Sequence, residues 1–94
     1  MFTWDEKKSA ANLKKHGVSF PTAQLVFEDP LQVSRQERDE QGELRWQTLG
    51  MASGVVLLLV AHTWREDVSG EEHFRIISAR RATKLERKIY EEGT

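Results

Sequence analysis

Cysteine is absent from this chain of 94 residues. Neither a disulfide nor a zinc site built on thiolates can form, which fits a reducing compartment. Long apolar runs are absent too. The longest, VVLLLVA at 55–61, has seven residues, whereas a membrane-spanning helix needs about 20. We therefore interpret this run as a buried strand and expect no contact with a membrane.

An excess of charge of one sign is also missing. The formal net charge is −1, from 14 Lys and Arg against 15 Asp and Glu, so the overall charge does not indicate a nucleic-acid-binding protein. With 38% hydrophobic and 31% charged residues, the composition is typical of a globular protein. The length predicts one domain, 1–94. The start, MFTWDEKK, shows no secretory signal, so we expect a cytoplasmic protein.

Two helices are predicted near the N-terminus. Asp5 can cap a helix over residues 6–16, because its carboxylate can accept the unpaired backbone N–H groups of the first turn. Gly17 suits the left-handed position after the end of that helix. A second helix is predicted over residues 19–27, with Ser19 as its cap.

Strands and a last helix account for the rest of the chain. Alternation and apolar runs predict strands at residues 2–4, 31–38, 43–51, 55–65 and 73–81. The polar stretches DEQG (39–42) and EDVSGEE (66–72) predict connections. Thr83 and Glu86 have the spacing of a capping box that opens the last helix. The order β-α-α-β-β-β-β-α indicates an α+β fold, an antiparallel sheet carrying the helices on one side.

Several apolar side chains are expected in the core. The last helix is predicted to place Leu85 and Ile89 against the sheet. Trp4, Trp46 and Trp64 are also expected to be buried, although a tryptophan exposed near a site could stack on a base.

The chemistry available to this sequence is limited. Its three histidines form no i, i+4 pair on a helix, so neither a metal nor another cofactor is expected. No glycine-rich phosphate loop precedes a helix, and no serine sits in a nucleophile elbow. Acid–base chemistry by His, Lys, Arg and Glu remains. RNA is a suitable substrate for such chemistry, because its 2′-hydroxyl is a built-in nucleophile towards the adjacent phosphate. The composition is compatible with this interpretation but does not favour it over others.

The stretch NLKKHGVSF holds the first candidate residues, Lys14, Lys15 and His16. Positive side chains beside the exposed carbonyls of a helix end are stabilising, which is a sufficient structural explanation. An imidazole there could equally move a proton or bind a phosphate. The residues alone leave both interpretations open.

Arg65 and Glu43 are candidates at strand ends. Arg65 ends the central buried strand, where ligands can approach a sheet, but it could instead pair with Glu66 or Asp67 on the rim. Glu43 follows a predicted turn and could act as a base, although carboxylates at strand edges are usually solvated. His62, within the apolar strand, is expected to be a hydrogen-bonded core histidine.

Arg80 and Arg81 are adjacent in the last strand, so they point to opposite faces of the sheet. By the same alternation, Arg80 should share its face with Ser78 and Ile76. A guanidinium matches phosphate better than an ammonium does, so the arginine that faces a site is the better candidate for binding phosphate.

The C-terminal segment, residues 80–94, has a local surplus of positive charge, with five Lys and Arg against three Glu. Arg81 and Lys84 belong to it, and it is the candidate surface for an anion. A solvated helix face is the alternative explanation. Tyr90 near the end is expected to bury its ring.

Four segments together resemble the BrnT family, the toxins of BrnT–BrnA type II toxin–antitoxin systems. They are FTWDEKKSAANLKKHGVSFPTAQLVFEDP, ELRWQTLG, LLVAHTWR and RIISARRATKLERKIYEE. The resemblance covers almost the whole chain in the same order. It implies a RelE-like α+β fold and a ribonuclease that blocks translation. It also implies neutralisation by a BrnA-like antitoxin, with promoter DNA bound only through the complex of the two proteins.

The resemblance also supports roles for two candidate residues, His16 and Arg80. His16, in the matched KHG, would donate or accept the proton, and Arg80 would be the last arginine of the matched RIISAR. We expect Lys15, Arg65 and Arg80 to bind the phosphate and Glu43 to be a further catalytic candidate. Contacts to RNA are expected from Lys14, Arg81 and Lys84. The alternative is a non-catalytic interaction module of the same fold, which acts only through its protein partner.

Overall fold

Five strands and three α-helices succeed one another in the described parts of the chain, residues 1–37 and 44–93 of a computed structural model. The strands are β1 (Phe2–Thr3), β2 (Val33–Glu37), β3 (Arg45–Ala52), β4 (Val56–Glu66) and β5 (Glu72–Arg81). The α-helices are α1 (Glu6–His16), α2 (Phe20–Gln24) and α3 (Lys84–Glu92), and a 3₁₀ helix covers Leu25–Glu28. The predicted turn at 39–42 lies outside the described residues. Within those residues, no helix is both long and apolar enough to cross a membrane.

The strands form one mixed sheet in the order β1-β5-β4-β3-β2. Strands β2 to β5 pair in an antiparallel manner, whereas β1 is parallel to β5 and pairs Phe2 with Phe74. The α+β class is confirmed, but the expected all-antiparallel sheet is wrong at β1. Strands β2 to β5 follow one another in the chain, and short connections require antiparallel pairing. Most of the chain separates β1 from β5, so no hairpin fixes the direction of β1.

Helix α1 begins and ends where the sequence predicts. The Asp5 carboxylate accepts hydrogen bonds from two backbone N–H groups of the first turn. Gly17 follows the helix in the left-handed conformation, with a φ of 73°. Along the edge of β5, the Asn12 side chain both donates to the carbonyl and accepts from the N–H of Ala79. Helix α1 thereby covers a part of that edge that β1 does not pair with.

The second predicted helix, residues 19–27, is divided in the structure. Ser19 caps it as predicted, but α2 ends at Gln24 and the chain continues as the tighter 3₁₀ helix. This turn places Val26 directly against β3. A Cβ atom added to Gly50 would lie 2.6 Å from the Val26 Cγ1 atom. The glycine therefore leaves the space into which the turn packs.

Side chains alternate along each strand, which gives the sheet two different faces. The core face carries Leu58 and Val60 of β4 and is covered by α2 and the 3₁₀ helix. Its buried cluster comprises Val18, Phe20, Ala23, Val26, Ala52, Leu58, Val60, Ile76 and Ala79. The opposite face, which we call the arginine face, carries Leu59, Thr63 and Arg65.

Helix α3 lies on the arginine face, on the other side of the sheet from α2. Its Glu86 and Ile89 line a small cavity together with Leu49 and Leu59. The structure describes every residue of α3, and none of them is buried. Leu85, expected in the core, is 69% exposed. The capping box is confirmed, but the expectation that all helices lie on one side is wrong.

Candidate functional site

Arginines from three strands cluster around Thr63 on the arginine face. Arg45 and Arg75 pair with Thr63 from its two sides, so their Cα positions are about 10 Å apart across the sheet. Arg65 follows Thr63 by two residues, about 7 Å along β4. All three arginines are exposed. We call Arg45, Arg65 and Arg75 the arginine cluster.

Two members of the arginine cluster, Arg65 and Arg75, line a cavity of about 580 Å³. The other lining residues are Met1, Thr3, Leu44, Thr63, Trp64, His73 and Phe74. Guanidinium groups bind phosphate oxygens through paired N–H donors and keep their charge at every physiological pH. Three such groups on one surface attract a polyanion.

His73 lies opposite Arg65 in the ladder between β4 and β5 and lines the same cavity. Its Nε2 atom is 2.8 Å from Oδ2 of Asp67. An ionised carboxylate can only accept a hydrogen bond, so Nε2 carries the proton. In the neutral ring, Nδ1 is then the proton acceptor. The His73 side chain is 19% exposed.

The Asp67 carboxylate organises the connection between β4 and β5. Its Oδ1 atom accepts hydrogen bonds from the Ser69 hydroxyl and from the backbone N–H groups of Ser69 and Glu71. The bonds from the Ser69 hydroxyl and then from His73 hold the pKa of Asp67 well below its usual range. Asp67, Glu71 and His73 place ligand atoms within 4.8 Å of one another. The hydrogen bonds of the loop account for that arrangement, so it does not indicate a metal centre.

Arg80 lies on the arginine face, but its guanidinium is already engaged. Two of its nitrogens donate to the two oxygens of Glu86 at 2.8 and 2.9 Å. This contact, foremost among the causes, lowers the pKa of Glu86. The partner of Arg80 on β4, Leu59, precedes Arg65 by six residues, or about 20 Å. Arg65 and Arg80 are therefore too far apart to bind one phosphate.

A β-bulge changes the neighbours of Arg80. The pairing of β5 with β4 skips Ile77, and an extra residue in one strand reverses the alternation beyond it. Ser78 shares the face of Arg80 as predicted, but Ile76 is buried in the core with Ala79. The predicted alternation is wrong beyond the bulge, because the pattern of one strand does not show which residue its partner skips.

The basic end of α1, residues 14–16, is exposed at some distance from the arginine cluster. Asn12, one turn earlier, is bonded to Ala79, which pairs with the β4 residue five positions before Arg65. That offset is about 17 Å, and α1 continues away from Arg65. The structure therefore does not bring His16 to the phosphate that Arg65 could bind.

The remaining predicted residues are also apart from the cluster. Arg81 pairs with Leu58 and so points to the core side of the sheet, opposite to Arg80. Lys84 is the first residue of α3 and is exposed. Glu43 lies outside the described residues. The structure thus distributes the predicted positive charges over more than one surface.

His62 is a buried core histidine, as predicted. It is 3% exposed, with Nε2 2.7 Å from the Thr48 hydroxyl oxygen and Nδ1 3.0 Å from the Thr63 carbonyl. A carbonyl can only accept, so Nδ1 carries the proton and the Thr48 hydroxyl donates to Nε2. Burial lowers the pKa of His62. The lowered pKa favours the neutral ring, which lies on the core face of the sheet, opposite to the arginine cluster.

Arg45, Arg75 and His73 of this candidate site were not predicted from the sequence. The spacing of His73 and Arg75 in a predicted strand already placed both side chains on one face. The row formed by Arg45, Thr63 and Arg75, however, depends on the register of three strands, which no single segment reveals.

Comparisons with known proteins agree with each other. The family model described as the ribonuclease toxin BrnT of a type II toxin–antitoxin system matches residues 4–86. The crystal structure of the Brucella abortus ribonuclease toxin BrnT is similar to this chain, with a TM-score of 0.60 and 29% sequence identity. The match covers 89% of this chain and 99% of that one. No curated protein matches.

Proposed function

Because this chain belongs to the BrnT family of ribonuclease toxins of type II toxin–antitoxin systems, we propose that it is an endoribonuclease that needs no metal ion and stops translation by cleaving RNA. The family supplies the ribonuclease and toxin classes. Independence from metals and the effect on translation are the parts we propose. The arginine cluster is the observation that carries the proposal.

In the proposed reaction, the 2′-hydroxyl oxygen of RNA forms a bond to the adjacent phosphorus. The bond from phosphorus to the 5′ oxygen breaks and that oxygen takes up a proton from water, which leaves a 2′,3′-cyclic phosphate and a free 5′-hydroxyl end. Negative charge on the phosphate oxygens increases in the transition state. The guanidinium groups around Thr63 would stabilise that charge, because they are already in place before the reaction begins.

We propose that the Nδ1 atom of His73 accepts the proton of the 2′-hydroxyl as a general base. His73 lines the cavity beside Arg65, and Asp67 fixes its ring by accepting the Nε2 proton. The sequence instead predicts His16 as the acid–base residue, and the separation of α1 from the arginine cluster argues against that role. Glu43 stays a prediction, since it lies outside the described residues.

Arg80 and the other predicted basic residues suit contacts farther along an RNA strand. Arg80 is on the same face as Arg65 at about 20 Å, a distance suited to another phosphate of the same strand. Its ion pair with Glu86 would have to open for such a contact. We propose that the basic end of α1, Arg81 and Lys84 contribute only to RNA affinity.

We also propose a BrnA-like antitoxin as the protein partner, with promoter DNA bound only through the complex, and a cytoplasmic location. A type II system pairs a toxin with a protein antitoxin, and the family match supports this partner class. The arginine cluster offers a polyanion site that a partner could leave open or cover.

Arg65→Ala tests the role of the arginine cluster. We expect it to lower RNA cleavage by about 100-fold, because it removes a donor to the transition-state phosphate. Arg87→Ala is the matched control, since it removes the same charge from exposed α3. Circular dichroism establishes that both variants are folded. Equal cleavage by the two variants would contradict the proposal.

His73→Gln and His16→Gln together test the acid–base assignment. We expect His73→Gln to lose most cleavage and His16→Gln to keep nearly all of it, because only His73 lines the cavity beside Arg65. The reverse result would indicate that His16 transfers the proton and that the reaction takes place at the C-terminal end of α1.

A further inference from the structure

An aromatic groove lies on the core face, between the 3₁₀ helix and the sheet, and the proposed reaction does not use it. Its volume is about 540 Å³, within the range of small-molecule sites. Five aromatic side chains line it, namely Phe2, Phe27, Trp46, Trp64 and Phe74. Trp64, expected in the core, is 37% exposed here. We call this surface the aromatic groove.

The rings of the aromatic groove favour a flat ligand. Phe2 and Phe74 are stacked with 4.9 Å between their centroids, and Trp46 meets Trp64 edge to face at 6.4 Å. Aromatic surfaces of this kind bind planar rings by stacking, which tolerates several ring types. An aliphatic ligand would gain burial but not the stacking contact.

The polar groups at the groove define the ligand further. Trp46 lines the groove, and its Nε1–H group is buried and has no hydrogen-bond partner among the described residues, so it lacks an acceptor that a ligand would have to bring to it. Glu28 and Glu72 also line the groove and can only accept. Their negative charges disfavour a phosphate inside. The matching ligand is planar and uncharged and carries both acceptors and N–H donors.

We propose that the aromatic groove is a subsite for a nucleobase of RNA. A nucleobase has the flat ring, the acceptors and the N–H donors that the groove requires, whereas an arginine or lysine side chain brings donors only. The proposal rests on the proposed function for its ligand. Trp64 and Phe74 line both this groove and the cavity of the arginine cluster. The two sites therefore lie at the same end of β4 and β5, on opposite faces of the sheet.

The three tryptophan indole N–H signals in a nitrogen-15 NMR spectrum of the full chain test this proposal. The probes are the four ribonucleosides, which carry no phosphate. We expect at least one of them to shift the Trp46 signal saturably, because its indole N–H gains an acceptor. The Trp4 signal is the internal control, since that indole already donates to Glu6. Trp46→Phe should weaken binding about fivefold, as expected for one lost hydrogen bond, and Trp4→Phe should not.

Two results would overturn the proposal. One is the absence of a selective Trp46 shift with all four nucleosides. The other is a selective shift with N-acetylarginine amide but with no nucleoside, which would assign the groove to a basic side chain of a protein partner. Binding is read without cleavage, so the two proposals fail separately. RNA cleavage without nucleoside binding would contradict only the proposed subsite, and nucleoside binding without cleavage would contradict only the proposed ribonuclease activity.

Discussion

Asp29 joins parts of the chain that its local sequence does not place together. Its Oδ2 atom accepts from the Tyr90 hydroxyl at 2.6 Å and from the Met51 N–H at 2.7 Å, and its Oδ1 atom accepts from the Leu31 N–H. Burial opposes ionisation, but these hydrogen bonds outweigh it and lower the pKa of Asp29. Helix α3 is therefore held near the end of β3 by a polar contact in place of deep burial.

We predict that Tyr90→Phe lowers the free energy of unfolding by about 1 kcal/mol at neutral pH, because it removes the hydrogen bond to Asp29. That bond, with burial and the charge of Asp29, raises the pKa of Tyr90 from 10.0 to about 12. A raised pKa favours the neutral phenol in the folded state. The contribution is therefore complete below pH 10 and is lost as the pH rises towards 12.

Tyrosinate absorbance measures this titration directly, because Tyr90 is the only tyrosine of the chain. Urea unfolding at neutral pH measures the stability difference. A pKa close to 10 in the folded protein, or equal stability of the two proteins, would show that the contact with Asp29 contributes nothing.

At the scale of elements, α1 is attached to the sheet by a side chain, not by strand pairing. The Asn12 amide donates to the carbonyls of Val18 and Ala79 at 2.7 and 2.8 Å, and its oxygen accepts from the Ala79 N–H at 3.2 Å. Asn12 is 8% exposed. The Asn12 side chain makes the hydrogen bonds to Ala79 that a neighbouring strand would otherwise make at this edge of β5.

Asn12→Ala is predicted to lower the free energy of unfolding by about 3 kcal/mol, because it leaves buried backbone groups of β5 and of the loop after α1 without partners. Lys8→Ala on the exposed side of α1 is the control, with an expected change within about 0.5 kcal/mol. Urea unfolding midpoints at a constant slope compare the two variants. Equal midpoints would mean that water replaces the asparagine at no cost.

Local signals in the sequence predicted the elements well where one residue type decides the geometry. Asp5, Gly17 and Thr83 fixed helix ends through capping, which depends only on neighbours in the chain. The skipped Ile77 and the parallel pairing of β1 were not predictable in this way. Both depend on which residues of a distant strand form the partner, and the alternation of one strand carries no information about that.

At the scale of the whole molecule, the near-neutral net charge hides a separation of charges. The arginine face gathers guanidinium groups from β3, β4 and β5, while the aromatic groove on the opposite face is lined by Glu28 and Glu72. Composition sums the two surfaces and so could not show either. Of the candidate site, sequence predicted Arg65, because it ends the central strand, but assembling the cluster required the register of three strands.

RNA cleavage by the purified full chain in excess EDTA, with chemical analysis of the product ends, is the first test of whether this protein is a metal-independent ribonuclease. We expect cleavage to persist without metal ions and to leave 2′,3′-cyclic phosphate ends, because the 2′-hydroxyl is the nucleophile and the arginine cluster supplies the positive charge. Cleavage that stops in EDTA and returns with added divalent ions would contradict it. So would a folded protein that cleaves neither naked nor ribosome-bound RNA, which would favour a non-catalytic interaction module.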